Sequence, residues 1–321
     1  MGDGIYKSQS FGHVRLHVDV RSDLGWRRMR SRSTRFTLRG DFDAQAAYMT
    51  AASQLFRSHE VDFSAYSHVL VVAAKNPSPG FDLSPAFVAP PDWAVSSPSG
   101  DISLGVTLGN DSYTNIGNDN YQSSFMLLAH ELGLTFGIPD QYPYHSTNAE
   151  LDSLAGCWSI MSDITHATGF LGWDRHKMGW LGSQQMLYVN EPGSVYATIN
   201  PFSAGACGLG MIVVPIDDPD DPSRVFVVEV AQPPLGLDGT HPGEGVLVYV
   251  VDAQRAQKAS PVKVIPKDEH ALPTTTGSTA HCTAPYQVGD ALHEEGPMSF
   301  SLQVLQQFNE SYNVKVTYHH V

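Results

Sequence analysis

Positively charged residues are scarce in this sequence. Lysine and arginine number 19 against 33 aspartates and glutamates, which gives a formal net charge of −14. Because nucleic-acid binding depends on clustered positive charge, this balance predicts that nucleic acid is not a partner. The one basic cluster lies at 21–39, and its arginines include Arg27, Arg28, Arg30, Arg32 and Arg35. It is interpreted as a solvated loop or hairpin face, or as a docking site for an acidic partner or pro-segment.

Long apolar runs are also missing. The longest, residues 69–74, falls far short of the roughly 20 residues that span a bilayer, so we expect no membrane partner. The chain begins without the charged and then apolar leader of a signal peptide, so either the protein is cytosolic or its leader has been removed. Glycosylation sequons at Asn110 and Asn309 favour an extracellular location, with the cytoplasm as the alternative.

Cysteine is equally rare, and the three cysteines Cys157, Cys207 and Cys282 are too few for a disulfide framework. Cys207 and Cys282 both lie in the C-terminal half of the chain. We expect these two to be bonded if the protein is secreted, and Cys157 to be a free thiol buried beside Trp158.

Hydrophobic periodicity predicts an α+β architecture for the first part of the chain, residues 1–182. Strands are predicted at 14–20, 69–74 and 102–108, and helices at 43–57 and 122–135. Residues 183–321 differ, because β-type runs separated by proline, glycine and aspartate follow one another without a helical period. They are predicted to form an all-β, sandwich-like domain. The runs are 211–216, 225–230, 246–252, 298–305 and 312–318.

Two further expectations concern the neighbourhood of a ligand. The small residues Ser103, Gly105 and Thr107 within 102–108 are typical of an edge strand beside a ligand. Residues 76–99, rich in proline and serine, are predicted to be a long loop. Residues 110–120, crowded with asparagine, aspartate and glycine, are predicted to be a loop in which calcium is a possible ligand.

The residues that indicate chemistry are His130 and Glu131, at the end of the second predicted helix. Zinc hydrolases carry HExxH, in which two histidines one helical turn apart bind one metal and the glutamate acts as general base. In this chain His130 and Glu131 stand in that pattern, but the second histidine position is Leu134. A hydrocarbon side chain cannot bind zinc.

The context of a zinc site is nevertheless present. Gly137 lies where the helix must end, and Asp140 lies where a third ligand would return to the metal. Gly156-Cys-Trp-Ser-Ile-Met161-Ser resembles the tight methionine turn beneath such sites. Together these features predict descent from a zinc protease and a zincin-like catalytic domain.

The same residues resemble immune inhibitor A-type metallopeptidases, whose typical motifs are HExxHxxGLPDLY, GGWDxM and AWxKxKLGWL. The matching segments are Phe136-Gly-Ile-Pro-Asp-Gln-Tyr142, Gly156-Cys-Trp-Ser-Ile-Met161-Ser and Gly172-Trp-Asp-Arg-His-Lys-Met-Gly-Trp-Leu181. Weaker similarities extend over nearly the whole chain, including Pro242-Gly-Glu-Gly-Val-Leu-Val-Tyr-Val-Val-Asp252.

The resemblance implies a role for each matching residue. His130 and Asp140 would bind zinc, Glu131 would be the general base, and Met161 and Gly137 would support the site. Leu134 leaves the second histidine role empty. His166 and His145 are the possible substitute ligands, and His176 is a third histidine nearby in sequence.

Three hypotheses about function follow. The first is zinc-dependent peptide hydrolysis by water that Glu131 activates, weak or absent because of Leu134. The second is a pseudoprotease that binds a peptide or protein, or has a structural role, without metal. The third is a metal-free enzyme that uses Glu131 and Asp140 as acid and base. In the first hypothesis, the strand at 102–108 would pair with an extended peptide substrate.

Overall fold

The computed structural model is a mixed α+β structure with few helices and several open sheets. It describes residues 2–36, 41–75, 79–113, 120–143, 154–164, 169–205, 207–231, 243–255, 260–267, 285–296 and 298–320. Within these ranges, none of the helices has the length and apolarity that a membrane crossing requires.

The helices are α1 (Gly2–Gln9), α2 (Phe42–Ser53), α3 (Asn120–Thr135) and α4 (Gly172–Lys177). Strands before the C-terminal part are β1 (Val69–Val72), β2 (Ala86–Val88), β3 (Val95–Ser97), β4 (Gly100–Ile102) and β5 (Leu104–Leu108). The later strands are β6 (Met186–Tyr188), β7 (Gly193–Ile199), β8 (Met211–Pro215), β9 (Arg224–Val230), β10 (Val246–Asp252), β11 (Val262–Val264), β12 (Ala291–Glu294), β13 (Met298–Phe308) and β14 (Ser311–His320).

The chain divides into two compact units. The first comprises Met1–Asp3 and Leu16–Gly137, and the second comprises Gly4–Arg15 and Ile138–Val321. This division does not coincide with the expected boundary between residues 182 and 183, which stays a prediction about which segments fold independently.

The first unit contains a three-stranded sheet in the order β1-β5-β2, with β1 parallel and β2 antiparallel to β5. The expectation that 102–108 is an edge strand is therefore wrong, because β5 has a neighbour on each side. The strand β2 is an edge, and it lies within 76–99, which was predicted to be a loop. Proline flanks its three residues, so they are too few to display a period, although Phe87 is fully buried.

Two other predictions in this unit have opposite outcomes. The helix α2 forms as predicted, and Asp41 caps it by accepting a hydrogen bond from the N–H of Ala44 at 3.0 Å. The strand predicted at 14–20 is wrong, since this segment has no regular structure. Alternation alone did not form a strand there, and Val18 and Val20 remain exposed.

The second unit contains two sheets that pack on a shared hydrophobic core, as the β-type runs predicted. The five-stranded sheet has the order β11-β10-β9-β8-β6, and the four-stranded sheet has the order β12-β13-β14-β7. Their facing side chains interdigitate, for example where the ring of Phe226 stacks on that of Phe300 with centroids 4.5 Å apart. Each such buried ring contributes about 1.5–3 kcal/mol to stability.

The five-stranded sheet is buried on its other face as well. Trp158, Leu171 and Phe202 pack there against alternate residues of β8, β9 and β10, such as Val227. Burial on both faces explains why these strands are continuous apolar runs rather than alternating ones.

The predicted cysteine pairing is wrong. Cys207 is a free, exposed thiol, whereas Cys157 is disulfide-bonded. Cys157 is buried next to Trp158, as expected, but it is not free. Proximity in sequence was a poor guide because the disulfide forms in the packing layer under the five-stranded sheet, to which Cys157 belongs. Cys282, the third cysteine of the sequence, lies outside the described residues.

Peptide mapping by mass spectrometry without reduction tests this assignment. Cys207 should react with an alkylating reagent, and the peptide carrying Cys157 should be cross-linked to one carrying Cys282, the remaining cysteine of the sequence. The variant Cys207→Ser is the control and should keep the cross-link. Alkylation of Cys157 before reduction would contradict the assignment.

Candidate functional site

The helix α3 carries His130 and Glu131 near its C-terminal end, and both side chains are buried. Glu131 Oε2 accepts a hydrogen bond of 2.7 Å from the backbone N–H of Ala86, the first residue of β2. This bond ties the helix to the edge strand of the sheet.

The end of α3 is stabilised by a short chain of hydrogen bonds. The Thr135 hydroxyl donates to the carbonyl of Leu132 at 2.7 Å, so its oxygen is left to accept from His68 Nε2, 2.9 Å away. His68 Nδ1 then accepts from the hydroxyl of Ser67 at 2.9 Å. Burial lowers the pKa of His68, which favours this neutral imidazole.

The helix ends before Gly137, whose φ of +86° is a conformation that glycine adopts at little cost. Leu134, at the second histidine position of the HExxH pattern, is half-buried. The chain then enters the second unit at Ile138.

In the second unit the structure brings the segment of Asp140 together with the predicted methionine turn. Asp140 is buried, and the backbone N–H of the next residue, Gln141, donates to the carbonyl of Met161 at 2.8 Å. The turn itself is closed by the N–H of Ser162, which donates to the carbonyl of Ser159 at 3.0 Å. Met161 is fully buried.

The structure does not assemble a metal site from the described residues. No group of three histidine, cysteine, aspartate or glutamate side chains that could hold a metal occurs among them. Zinc needs three protein ligands, so these residues do not fit a catalytic zinc. The substitute candidates His145 and His166 lie outside the described residues. His176 is described, on α4, where its ring packs against Trp173.

The loop considered for calcium is described only in part. Residues Asn110–Tyr113 form a 3-10 helix, and residues 114–119 lie outside the described ranges. Within the helix, Asp111 accepts hydrogen bonds from the N–H and hydroxyl of Ser84 and from the N–H of Ser112. Its carboxylate therefore links the loop to the residues before β2.

A buried polar cluster in the second unit was missed by the sequence analysis. Gln141 Nε2 donates to Asp174 Oδ1 at 2.8 Å, and the next residue, Arg175, donates to Gln9 Oε1 at 2.7 Å. Glu229 on β9 accepts from the N–H of Gly172 at 2.8 Å and from the Tyr249 hydroxyl at 2.9 Å. The signal available in the sequence was a single glutamate within the apolar run of β9.

Burial dominates the electrostatics of this cluster. It raises the pKa of Glu229 and of Asp174 to about 7 each, and it lowers the pKa of Arg175 to about 10. The charge of Arg175 opposes both carboxyl shifts, and its guanidinium lies over the ring of Phe202 at 4.8 Å. Glu229 Oε1 has no hydrogen-bond partner among the described residues. Ionising Glu229 and Asp174 together is therefore unfavourable at neutral pH.

Comparisons with known proteins leave the family open. No protein-family model matches the chain, no curated protein is similar to it, and no solved structure matches it. The resemblance to immune inhibitor A-type metallopeptidases stays a prediction.

Glu229→Gln tests the electrostatics of the cluster. The folded state keeps a proton on Glu229 up to about pH 7, whereas the unfolded chain releases it near the ordinary pKa of 4.5. The free energy of unfolding should therefore fall as pH rises between these values, by up to roughly 3 kcal/mol from this group. The amide does not titrate, so Glu229→Gln should remove this part of the slope.

Urea denaturation at about pH 5 and about pH 8 measures that slope. Glu310→Gln is the control, since Glu310 is exposed at the turn between β13 and β14. An identical pH dependence of the wild type and Glu229→Gln would show that the pKa of Glu229 is the same in the folded and unfolded states.

Proposed function

We propose that this chain is a peptide-binding protein with a metallopeptidase-like site that is incomplete for zinc hydrolysis. The observation that carries the proposal is Leu134, one helical turn after His130, where the second metal-binding imidazole of a zincin would stand. Metal affinity and activity commonly fall about 10–100-fold when even an outer partner of a ligand is changed. Loss of a ligand itself should cost more.

The contact of Glu131 supports a structural role for the would-be general base. One of its carboxylate oxygens is held by the N–H of Ala86 at 2.7 Å, and the side chain is buried. A base that activates water needs an oxygen within hydrogen-bond reach of that water. In this chain Oε2 of the carboxylate joins α3 to β2, a structural contact that does not depend on a bound water.

The edge strand β2 is the proposed peptide-binding surface. The N–H of Thr107 donates to the carbonyl of Pro85, and the N–H of Ala89 donates to the carbonyl of Ser103, so alternate residues of this segment face β5. The polar backbone groups of Val88 consequently point away from the sheet. An extended peptide can add a strand to such an edge through main-chain hydrogen bonds.

Aromatic side chains next to this edge offer contacts for a bound peptide. The ring of Phe42 stacks on that of Phe87, with ring centroids 5.4 Å apart. The edge-on ring of Trp93 has its centroid 5.3 Å from that of Phe42. Phe42 and Trp93 are exposed, as is Val88 on the strand itself. Rigid, exposed aromatic rings are common anchors in peptide recognition.

Leu134→His tests the missing ligand. It places an imidazole one turn from His130 and should raise zinc affinity tenfold or more. Adding a ligand should increase affinity by at least the factor that is lost when a partner of a ligand is removed. Leu134→Gln is the matched control. It also places a polar group at this half-buried position, with a similar desolvation cost, but it provides no imidazole.

Zinc titration calorimetry and cleavage of casein peptides with and without chelator measure the outcome. The wild type and Leu134→Gln should show weak zinc binding and little cleavage. Robust, chelator-sensitive cleavage by the wild type would refute the proposal and support zinc peptidase activity, with His145 or His166 as the completing ligand.

Val88→Pro tests the binding edge. Proline removes the N–H that points away from the sheet while the ladder bonds of the neighbouring residues remain, so binding should fall with little loss of stability. Val88→Thr is the control, since it keeps that N–H and has a similar shape. Surface plasmon resonance against immobilised tryptic casein peptides gives the affinities, and thermal unfolding gives the stability. Equal binding by Val88→Pro and Val88→Thr would place the peptide elsewhere.

A further inference from the structure

The strand β7 is an open edge of the four-stranded sheet in the second unit. All 7 of its residues pair with β14 in a continuous antiparallel register, from Gly193 opposite Tyr318 to Ile199 opposite Tyr312. No other strand among the described residues pairs with the second side of β7. The backbone groups that point to this side are therefore available to the strand of a partner.

The edge β7 lacks the features by which sheets usually avoid pairing, namely charged side chains, proline, bulges or a very short strand. Its sequence, Gly-Ser-Val-Tyr-Ala-Thr-Ile, contains no charge and no proline, and its register with β14 has no bulge. The other edge of the same sheet, β12, has 4 residues and ends at Glu294. The edges of the five-stranded sheet, β6 and β11, have 3 residues each. In the described part of the second unit, β7 is thus the long edge without protection.

The hydrophobic core also remains partly open along β7. The side chains of Val195 and Ala197 pack against this core but are only half-buried. On the neighbouring strand, the core residues Val314 and Val316 are fully buried. On the outward face of β7, Tyr196 is 68% exposed. A strand added beside β7 would cover apolar surface on both faces, in addition to forming main-chain hydrogen bonds.

We infer that β7 pairs with the β7 strand of a second copy of this chain, antiparallel and centred on Tyr196, so that two sheets join into one. A two-fold axis through the centre of an antiparallel pair makes such an interface self-complementary. In this register Tyr196 faces the same residue of the other copy. Val195 faces Ala197 and Ser194 faces Thr198, so that apolar residues oppose apolar ones and hydroxyls oppose hydroxyls.

The charge distribution favours a second copy at this edge. Copies with a net charge of −14 repel each other, and the repulsion is smallest where the contact surface has no carboxylates. The sequence contains no aspartate or glutamate between Glu191 and Asp217, and β14 contains none either. The ammonium of Lys315 on β14 lies over the ring of Tyr196, 5.8 Å from its centroid. The surface around the proposed two-fold axis is thus free of like-charge pairs between carboxylates.

The extent of the edge is sufficient for a dimer. Pairing of two strands of this length forms roughly 6 to 8 inter-strand hydrogen bonds, and a typical protein interface contains about 10 direct ones. The assembly closes at two copies, because β12, the edge that remains on each sheet, is short and charged. The inference does not depend on the proposed function, since β7 lies in the second unit and β2 lies in the first.

A charge-swap experiment with the full chain tests the register. Ser194→Lys/Thr198→Lys places lysines opposite each other at two positions, so the dissociation constant of the dimer should rise about tenfold or more. Ser194→Lys/Thr198→Glu is the matched control, because it places lysine opposite glutamate at the same positions and should keep the dimer. Both variants lose the same hydroxyl contacts, to Thr317 and Asn313, so their thermal unfolding should agree.

Sedimentation velocity over a series of concentrations measures the association. The wild type should approach twice the mass of the monomer at high micromolar concentration and should not exceed it. The variant with two lysines has a smaller net negative charge than the wild type, so general repulsion between copies cannot account for a weaker dimer.

Tyr196→Cys locates the centre of the interface, on a Cys207→Ser background that removes the exposed native thiol. Cβ atoms directly opposite each other in an antiparallel pair are roughly 4.5–5.5 Å apart, so mild oxidation should link the two copies. Thr198→Cys on the same background is the control. Its two copies would be offset by four residues, roughly 13 Å along the strand, and should not be linked.

Three results would each overturn the inference. One is a wild type that stays monomeric over the whole concentration series, or that grows beyond two copies. The second is equal dimerisation of the two charge variants. The third is oxidation that links Thr198→Cys as efficiently as Tyr196→Cys.

Discussion

Burial of the five-stranded sheet on both faces constrains the whole second unit. Strands β8, β9 and β10 have no face toward water, so nearly every side chain on them is apolar. Glu229 is the fully buried charged residue of these strands, since Arg224 and Asp252 lie at strand ends, and an unpaired charge at such a position costs several kcal/mol. The N–H of Gly172 and the hydroxyl of Tyr249 reduce that cost. Gly172 also has to be glycine, because a Cβ there would lie 2.4 Å from Glu229 Oε2.

The same constraint extends to the segment that carries Asp140. Once Gly172 is bound to Glu229, α4 has a defined position, and Asp174 on this helix accepts a hydrogen bond from Gln141. Gln141 in turn donates its backbone N–H to Met161. Glu229 under the sheet is therefore connected to Gln141, the residue beside Asp140, through two hydrogen bonds and the helix α4. These contacts give the segment Gly172-Trp-Asp-Arg175 a packing role.

Sequence patterns predicted the second unit better than the first. The runs of β8 to β10 are apolar because both of their faces are buried, whereas β13 and β14 alternate because one face is buried. Burial is the property that hydrophobic periodicity measures. The first unit relies on short strands, and the three residues of β2 lie between Pro85 and Pro90, in a segment too short to show a period. The failed strand at 14–20 shows the converse error, since alternation predicts a strand only where another strand is available to pair with it.

The candidate site was predictable in its parts but not in its assembly. The end of α3 at Gly137 and the turn at Met161 follow from local rules about glycine and tight turns. The hydrogen bond from Ala86 to Glu131 and the burial of Arg175 depend on residues far apart in the sequence, which no local pattern relates. The cysteine pairing failed for the same reason, because the layer that contains Cys157 is formed by distant segments.

Several residues that resemble a peptidase site have structural contacts of their own. Glu131 satisfies the N–H of Ala86, and removing its carboxylate would leave that N–H unpaired in a partly buried place. Gln141 and Met161 connect two turns through the backbone. Leu134, in contrast, is a half-buried hydrocarbon that costs the helix nothing in desolvation. Side-chain chemistry is therefore constrained by a polar contact at position 131 and by packing at position 134.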